Sequence, residues 1–172
     1  PVSGVRESVR KGREQMRGIL LSSLPDDLFG SRVLDAGCGT GQLAVELAKR
    51  GADVVATDIS KSLIGIAEQR VPSNLAKNVK FKVADMMDPS HGKFDHIVAM
   101  DSLIHYPSED IIETLLSLSE RTSNTISFTV VPINWVLFLK LRIGKLLPKS
   151  DRSPSIAPVK SGEFIVKLGE SL

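Results

Sequence analysis

The sequence predicts an α/β fold of three layers, a mostly parallel sheet with helices on both faces, and three observations carry that expectation. Short runs rich in β-branched and apolar residues recur along the chain and alternate with stretches of helical spacing. The runs are apolar nearly throughout, as strands covered on both faces are, rather than alternating apolar and polar. The first of them, "SRVLDA", leads through a glycine-rich turn, "GCGTG", into a helical pattern, which is how a strand–helix–strand unit of a parallel sheet begins.

The elements follow in order. "GVRESVRKGREQMRGILLSSL" reads as a helix, because Val5, Val9, Met16, Ile19, Leu20 and Leu24 recur at helical spacing with Arg6, Arg10, Lys11, Arg13 and Arg17 between them. Pro25, two acids and Gly30 break it. A strand at residues 31–36 precedes the glycine turn, and a helix at 42–50 is ended by Gly51. "ADVVATDIS" is a second strand, after which Ser60 is placed to cap a helix carrying Leu63, Ile64 and Ala67. "NVKFKVADMM" and "FDHIVAMDS" are the third and fourth strands. "SEDIIETLLSLSERT" is a helix with Ser108 as its cap and two acids in its first turn, where the helix dipole favours them. "TISFTVV" is a fifth strand. Beyond it, "NWVLFLKLRIGKLLPKSDRSPSIAPV" is a helix-like run, apolar on nearly every side, followed by a proline-rich loop. It fits a helix buried on the sheet, the wall of an apolar pocket, or a membrane-surface contact.

Composition bounds the function. A chain of 172 residues holds one domain with a real core, and 42% hydrophobic with 24% charged residues is the balance of a soluble globular protein. The net charge of +2 gives no reason to expect a nucleic-acid partner. One cysteine, Cys38, cannot form an internal disulfide, which suits a reducing, cytoplasmic compartment. No apolar run approaches the roughly 20 residues of a membrane span, and the amino end lacks the apolar centre of a signal peptide.

The glycine turn selects the cofactor. A nicotinamide-binding turn has the spacing G-x-G-x-x-G, whereas Gly37, Gly39 and Gly41 are followed directly by Gln42. Asp35, at the strand end just before the turn, would repel a pyrophosphate and favour a cofactor carrying positive charge. S-adenosylmethionine has an ammonium and a sulfonium and no phosphate, and the glycines let backbone approach its methionine part. Asp58, followed by Ile59, ends the second strand and can accept both ribose hydroxyls. Asp85 ends the third and can take the adenine amino group, with Met86 on the ring. All three acids fall at carboxyl ends of parallel strands, the rim where open α/β sheets bind ligands. Singly, each also fits a turn or a cap. Cys38 reads as a small turn residue rather than a nucleophile, and His91 and His96 as surface or packing residues.

The constellation resembles the seven-strand Rossmann-like methyltransferases that use S-adenosylmethionine. Met100–Tyr106, "MDSLIHY", with "LPKSDRSPSIAPV" downstream, narrows it: from its amino end to about Val159 the chain is similar to the magnesium-protoporphyrin IX O-methyltransferases of bacteriochlorophyll and chlorophyll synthesis. The resemblance implies methyl transfer to one propionate carboxylate of magnesium protoporphyrin IX, giving a monomethyl ester and S-adenosylhomocysteine, with magnesium present only within the substrate and no metal site in the protein. It implies that His105 orients the attacking carboxylate, although a loop histidine packed beside Tyr106 is the plainer alternative. It adds Met100 to the cofactor's contacts and assigns Tyr106, Trp135 and Arg17 to the porphyrin. The basic set from Arg6 to Arg17 then holds the second propionate or faces a membrane, unless it is only a solvated helix face. The large magnesium chelatase subunit is the implied partner handing over substrate, and a peripheral contact with the photosynthetic membrane is implied as well.

The expected organisation is a single domain over 1–172: an amino-terminal helix at 1–27, the cofactor-binding core at 28–133, an apolar arm at 134–159 and an antiparallel last strand at 160–172. Members of the family begin with an aromatic-rich segment that these residues do not include. Past the proline loop the family has a further helix and strand, where this sequence passes straight to "KSGEFIVKLGESL". The resemblance therefore implies residues omitted near Val159–Gly162, a Cα step there longer than the usual 3.8 Å or so, and a strand at Glu163–Leu168. Two rivals stay open: methylation of a quinone-precursor phenol, which would need a base, and a non-catalytic domain that binds the cofactor or a partner. A nicotinamide oxidoreductase is the remote third.

Overall fold

A computed structural model of the chain describes residues 2–131, with side chains from Glu7 onward. Helix α1 (Val2–Ser22) leads into β1 (Arg32–Ala36), α2 (Gln42–Lys49), β2 (Asp53–Asp58), α3 (Lys61–Arg70), β3 (Val79–Val83), β4 (Phe94–Ala99), α4 (Ser108–Ser119) and β5 (Thr122–Phe128). Short 3₁₀ turns at Ala76–Asn78, Pro89–His91 and Leu103–His105 fill connections. The five described strands are all parallel, in the order β3-β2-β1-β4-β5.

β1 is central. Val33 and Asp35 face Val54 and Ala56 of β2 on one side and His96 and Val98 of β4 on the other. The chain winds outward from β1 to β3, then returns to β4 and winds the opposite way, so strand order reverses beside β1. Right-handed crossovers put the helices of the two halves on opposite faces. The packing agrees: Val33, Val54 and Val98 share a core with Leu43 and Leu47 of α2 and Ile64 of α3. Their strand neighbours Leu34, Val55 and Ile97 point the other way and meet Ile111, Leu115 and Leu118 of α4. Buried apolar layers on both faces explain why the strands read as continuous apolar runs.

Strand and helix positions follow the sequence-based expectation, with local differences. Ser60 does cap α3, its Oγ accepting from the Leu63 N–H at 3.4 Å. Ser108 does not cap α4: it lies inside the helix, and Pro107 holds the cap position without a side-chain bond. β5 starts at Thr122 rather than Thr125, its polar "TSN" largely exposed at the edge of the described sheet. On α1, Leu20 joins the core, with Leu24 just beyond the helix, whereas Val9, Met16 and Ile19 are exposed. A helix of 21 residues is about 32 Å long and overshoots a sheet of five- to seven-residue strands. Among the described residues, no helix is long and apolar enough to cross a membrane. The apolar arm, the antiparallel last strand and the break near Val159–Gly162 lie outside the described residues.

Candidate active site

A cleft of about 590 Å³ opens at the carboxyl ends of the strands, where the strand order reverses. That position is general for ligand sites in open α/β sheets. Each wall is supplied by the turn after a strand, and α1 crosses its outer side.

The glycine turn forms the first wall. Gly37, Gly39 and Gly41 all adopt positive φ, at 78°, 54° and 77°. The N–H groups of Gly37 and Cys38 both donate to the Thr57 carbonyl at 2.9 Å, tying the turn to β2. A Cβ on Gly37 would lie 2.4 Å from Ser102 Cβ, so this turn touches the one after β4. A Cβ on Gly39 would meet nothing within 4 Å, which leaves backbone open to the cleft. Gly41 is different: a Cβ there would meet the Phe81 ring at 2.9 Å and Ala67 at 3.0 Å. It packs α2 against its neighbours and is not among the residues that line the cleft.

Asp35 lies under the turn, 1% exposed. One carboxyl oxygen accepts from the Ala44 N–H, which α2 leaves uncapped because Gly41 has no side chain. The other, Oδ2, is buried without a hydrogen-bond partner among the described residues. Burial pushes the Asp35 pKa up to about 7, opposed by the Ala44 N–H and reinforced by the charge of Asp58. A buried carboxylate with an unused oxygen at the floor of a cleft asks for a cation or a donor.

Asp58 bridges two walls. Its Oδ2 accepts from the Gly39 N–H at 2.9 Å and its Oδ1 from the Ser60 N–H at 2.8 Å. Each oxygen keeps an acceptor site free, since a carboxylate has about four. Ile59, 81% exposed, lies at the rim beside it. Asp85 shapes the third wall, accepting from the Met87 N–H at 2.8 Å, while its carbonyl bonds His91 Nε2 at 2.9 Å. Met86 and Met100 line the same cleft.

The turn after β4 and one face of α1 form the mouth. Asp101 is the one residue other than glycine with positive φ among those described, at 58°, and its N–H donates to Thr129 Oγ1 at 2.8 Å. His105 and Tyr106 line the mouth and are exposed. Arg13 and Arg17, four residues apart on one helix face, reach over the cleft from α1. Arg17 Nη1 donates to Gln42 Oε1 at 2.7 Å, at the start of α2, and Arg13 Nε lies 3.4 Å from Asp101 Oδ2. Lys11 turns away to pair with Glu7 at 3.0 Å.

Asp35, Gly37, Gly39, Asp58, Ile59, Asp85, Met86, Met100, Arg17, His105 and Tyr106 thus meet in one cleft. Trp135 lies outside the described residues. Sequence reasoning does not single out Asp101, Ser102 or Thr57, and it names Arg13 only within a basic set. The four-residue spacing of Arg13 and Arg17 is a usable signal for a shared face. The left-handed backbone of Asp101 has no sequence signal beyond the tolerance of aspartate for that region. Burial pushes the Cys38 thiol well above its usual range, with Asp35 and Asp58 adding to it, so no thiolate nucleophile forms. His96, 5% exposed and 2.6 Å from Thr125 Oγ1, is a packing residue, as is His91.

Comparison with known proteins narrows the chemistry. A methyltransferase-domain profile matches residues 33–123, and the profile of the magnesium-protoporphyrin IX methyltransferase C-terminus matches residues 99–171. The chain is 53% identical over 171 residues to a magnesium-protoporphyrin O-methyltransferase of Rhodobacter capsulatus, covering 99% of this chain and 76% of that one. It is 36% identical to the chloroplastic magnesium protoporphyrin IX methyltransferase of Arabidopsis thaliana, over 86% of this chain and 48% of that protein. The crystal structure of magnesium protoporphyrin IX methyltransferase from Synechocystis PCC 6803 with bound SAH matches at a TM-score of 0.74 and 28% identity, over 96% of this chain and 73% of that one. With the glycine turn, the strand-end acids and identity sustained over nearly its whole length, the chain belongs to the magnesium-protoporphyrin IX methyltransferase family.

Proposed function

We propose that the chain transfers the methyl group of S-adenosylmethionine to one propionate carboxylate of magnesium protoporphyrin IX, giving the monomethyl ester and S-adenosylhomocysteine. The observation that carries the cofactor's placement is Asp35 Oδ2, buried at the floor of the cleft and partnerless among the described residues. The site fits the cofactor. Asp35 offers an oxygen to an ammonium, Gly39 leaves room for close backbone approach, and Asp58 keeps acceptor sites for ribose hydroxyls. Asp85, Met86, Met100 and Ile59 surround the adenine in this proposal. The family's relatives, named for the same substrate, support the porphyrin.

When bound, the cofactor supplies an electrophilic methyl group on a sulfonium. What remains for the protein is alignment and exclusion of water. A propionate ionises near pH 4.3, about as glutamate does, so at neutral pH it needs no base. His105, at the mouth of the cleft, donates to the carboxylate and holds its oxygen in line at roughly 3 Å. Tyr106 gives the macrocycle an aromatic edge. Arg17 is bonded to Gln42 beside the glycine turn and lines the same cleft. It is assigned here to whichever carboxylate lies over that turn.

The proposal treats residues 1–172 as one methyltransferase domain, with the run at 134–159, including Trp135, on the porphyrin side and an antiparallel strand at 160–172. It includes delivery of substrate by the large magnesium chelatase subunit and a cytoplasmic site of action with peripheral membrane contact. Exposed Val9, Met16 and Ile19 beside the basic residues of α1 support such a contact. The test is incubation with methyl-labelled S-adenosylmethionine and magnesium protoporphyrin IX, followed by chromatography of the porphyrin. Label in a base-labile monoester is the expected result. Binding of the cofactor with no labelled porphyrin would sink the substrate assignment.

A further inference from the structure

We propose that Arg13 holds the porphyrin's second, unreacting carboxylate and so limits the reaction to a single ester, with Asp101 occupying Arg13 until that carboxylate arrives. This rests on the substrate proposed above and concerns how the same site chooses between its two propionates.

The charges lining the cleft set the problem. Among the described residues, Asp35, Asp58, Asp85 and Asp101 face it, against two arginines, Arg13 and Arg17. A substrate bearing two carboxylates gains nothing from four acids and needs a cation wherever its second group comes to rest. Arg17 is bonded to Gln42 at the start of α2, beside the cofactor's turn. Arg13, four residues earlier on the same face, lies about 6 Å further along the helix. There it neighbours Asp101 at the mouth that His105 and Tyr106 also line.

The Arg13–Asp101 contact has the character of a placeholder. Nε approaches Oδ2 at 3.4 Å, longer than the charge-assisted bonds of about 2.7–2.9 Å. The Arg13 side chain is 66% exposed, where solvent screens an ion pair heavily. The contact uses Nε alone, and the two terminal nitrogens have no partner among the described residues. They form the fork that takes a carboxylate through two parallel bonds. Asp101 is held in this position by an uncommon left-handed backbone and by its N–H bond to Thr129 Oγ1. Backbone outliers of this kind cluster at ligand clamps and active sites.

An anchor for the second carboxylate explains why the reaction stops. After one transfer the porphyrin keeps a single carboxylate. Rebound with that group on Arg13, it presents a neutral ester beside His105, which has no nucleophile to offer. Turned around, it presents a carboxylate for methylation but lays an ester on Arg13 and forfeits the ion pair. Each orientation lacks one requirement.

The test uses magnesium protoporphyrin IX and its monomethyl ester as substrates for the wild-type chain and for Arg13→Gln, Arg13→Lys and Asp101→Asn. Wild type should esterify the diacid and leave the monoester nearly untouched. Arg13→Gln, a change on an exposed helix face, should raise KM for the diacid about 10- to 100-fold and release diester on long incubation, with the Kd for S-adenosylhomocysteine unchanged. Arg13→Lys keeps the charge without the fork and should recover part of the loss. Asp101→Asn, which tolerates the left-handed backbone, should lower KM for the diacid and still stop at the monoester. Unchanged KM and strict monoester formation in Arg13→Gln would overturn the proposal, as would a cofactor Kd that rises in step with KM. A raised KM in Asp101→Asn would overturn the placeholder. Failure of the wild type to esterify the diacid would instead remove the substrate itself, and this proposal with it.

Discussion

Asp58 and His105 show how one cleft separates binding from rate. Asp58 accepts from the Gly39 and Ser60 N–H groups, so its carboxylate holds two turns together as well as offering sites to a ribose. Asp58→Ala should weaken S-adenosylhomocysteine binding by about 1–3 kcal/mol and also lower the melting temperature. Titration calorimetry with a thermal melt checks both, and unchanged affinity would remove Asp58 from the cofactor site. His105 is exposed at the mouth rather than packed in a core. His105→Ala should therefore slow single-turnover methyl transfer about 100-fold while cofactor Kd stays near wild type, and His105→Gln, which keeps a donor, should recover part. A near-normal rate with a lowered melting point would identify a structural histidine. The sequence made the three strand-end acids visible because their positions follow from strand boundaries. It hid Asp101, whose side chain is aimed by a local backbone twist.

At the scale of elements, the turn between β1 and α2 uses glycines two residues apart for opposite ends. Gly41 faces the Phe81 ring and Ala67, whereas Gly39 faces open space. Gly41→Ala combines left-handed strain of about 1–2 kcal/mol with overpacking of about 1–3 kcal/mol. It should depress the melting temperature by about 5–15 °C for a domain of this size. Gly39→Ala carries the strain alone, and its new methyl stands in the cleft. It should weaken the cofactor more than it weakens the fold. Thermal melts and calorimetry on both variants decide this, and equal stability losses would mean that the turn acts as a single packed unit. The glycine spacing is legible in the sequence. Which glycine serves the ligand is not, because that depends on where α3 and β3 lie. For the same reason Ser60 was recognisable as a cap, since its bond spans three residues. The exposure of Val9, Met16 and Ile19 was not, since it depends on how far α1 outruns the sheet.

For the whole molecule, the cost of keeping Asp35 in the core links stability, pH and cofactor. Its pKa is raised from 3.8 to about 7 in the fold. Between those values the native state holds a proton that the unfolded chain has released. The free protein therefore loses stability as pH rises through this window, by up to about 1.4 kcal/mol per pH unit from this group, and levels off above pH 7. A bound ammonium favours the ionised carboxylate and offsets that loss. Cofactor affinity should rise from pH 6 to about 7.5, with release of up to one proton per cofactor below pH 7. At more alkaline pH it should fall again, as the cofactor's α-amino group loses its charge. The two neighbouring groups are the Asp58 carboxylate, which opposes ionisation, and the Cys38 thiol, which stays protonated here. The melting-temperature gain from saturating S-adenosylhomocysteine should accordingly be larger at pH 7.5 than at pH 6. Calorimetry in two buffers of different ionisation enthalpy counts the proton. Asp35→Asn keeps an oxygen for the Ala44 N–H but has nothing to ionise. It should be more stable than wild type above pH 7 when free, bind cofactor poorly, and show neither the slope nor the proton. A flat wild-type affinity between pH 6 and 7.5, or an Asp35→Asn variant that keeps the slope, would mean that another group meets the ammonium.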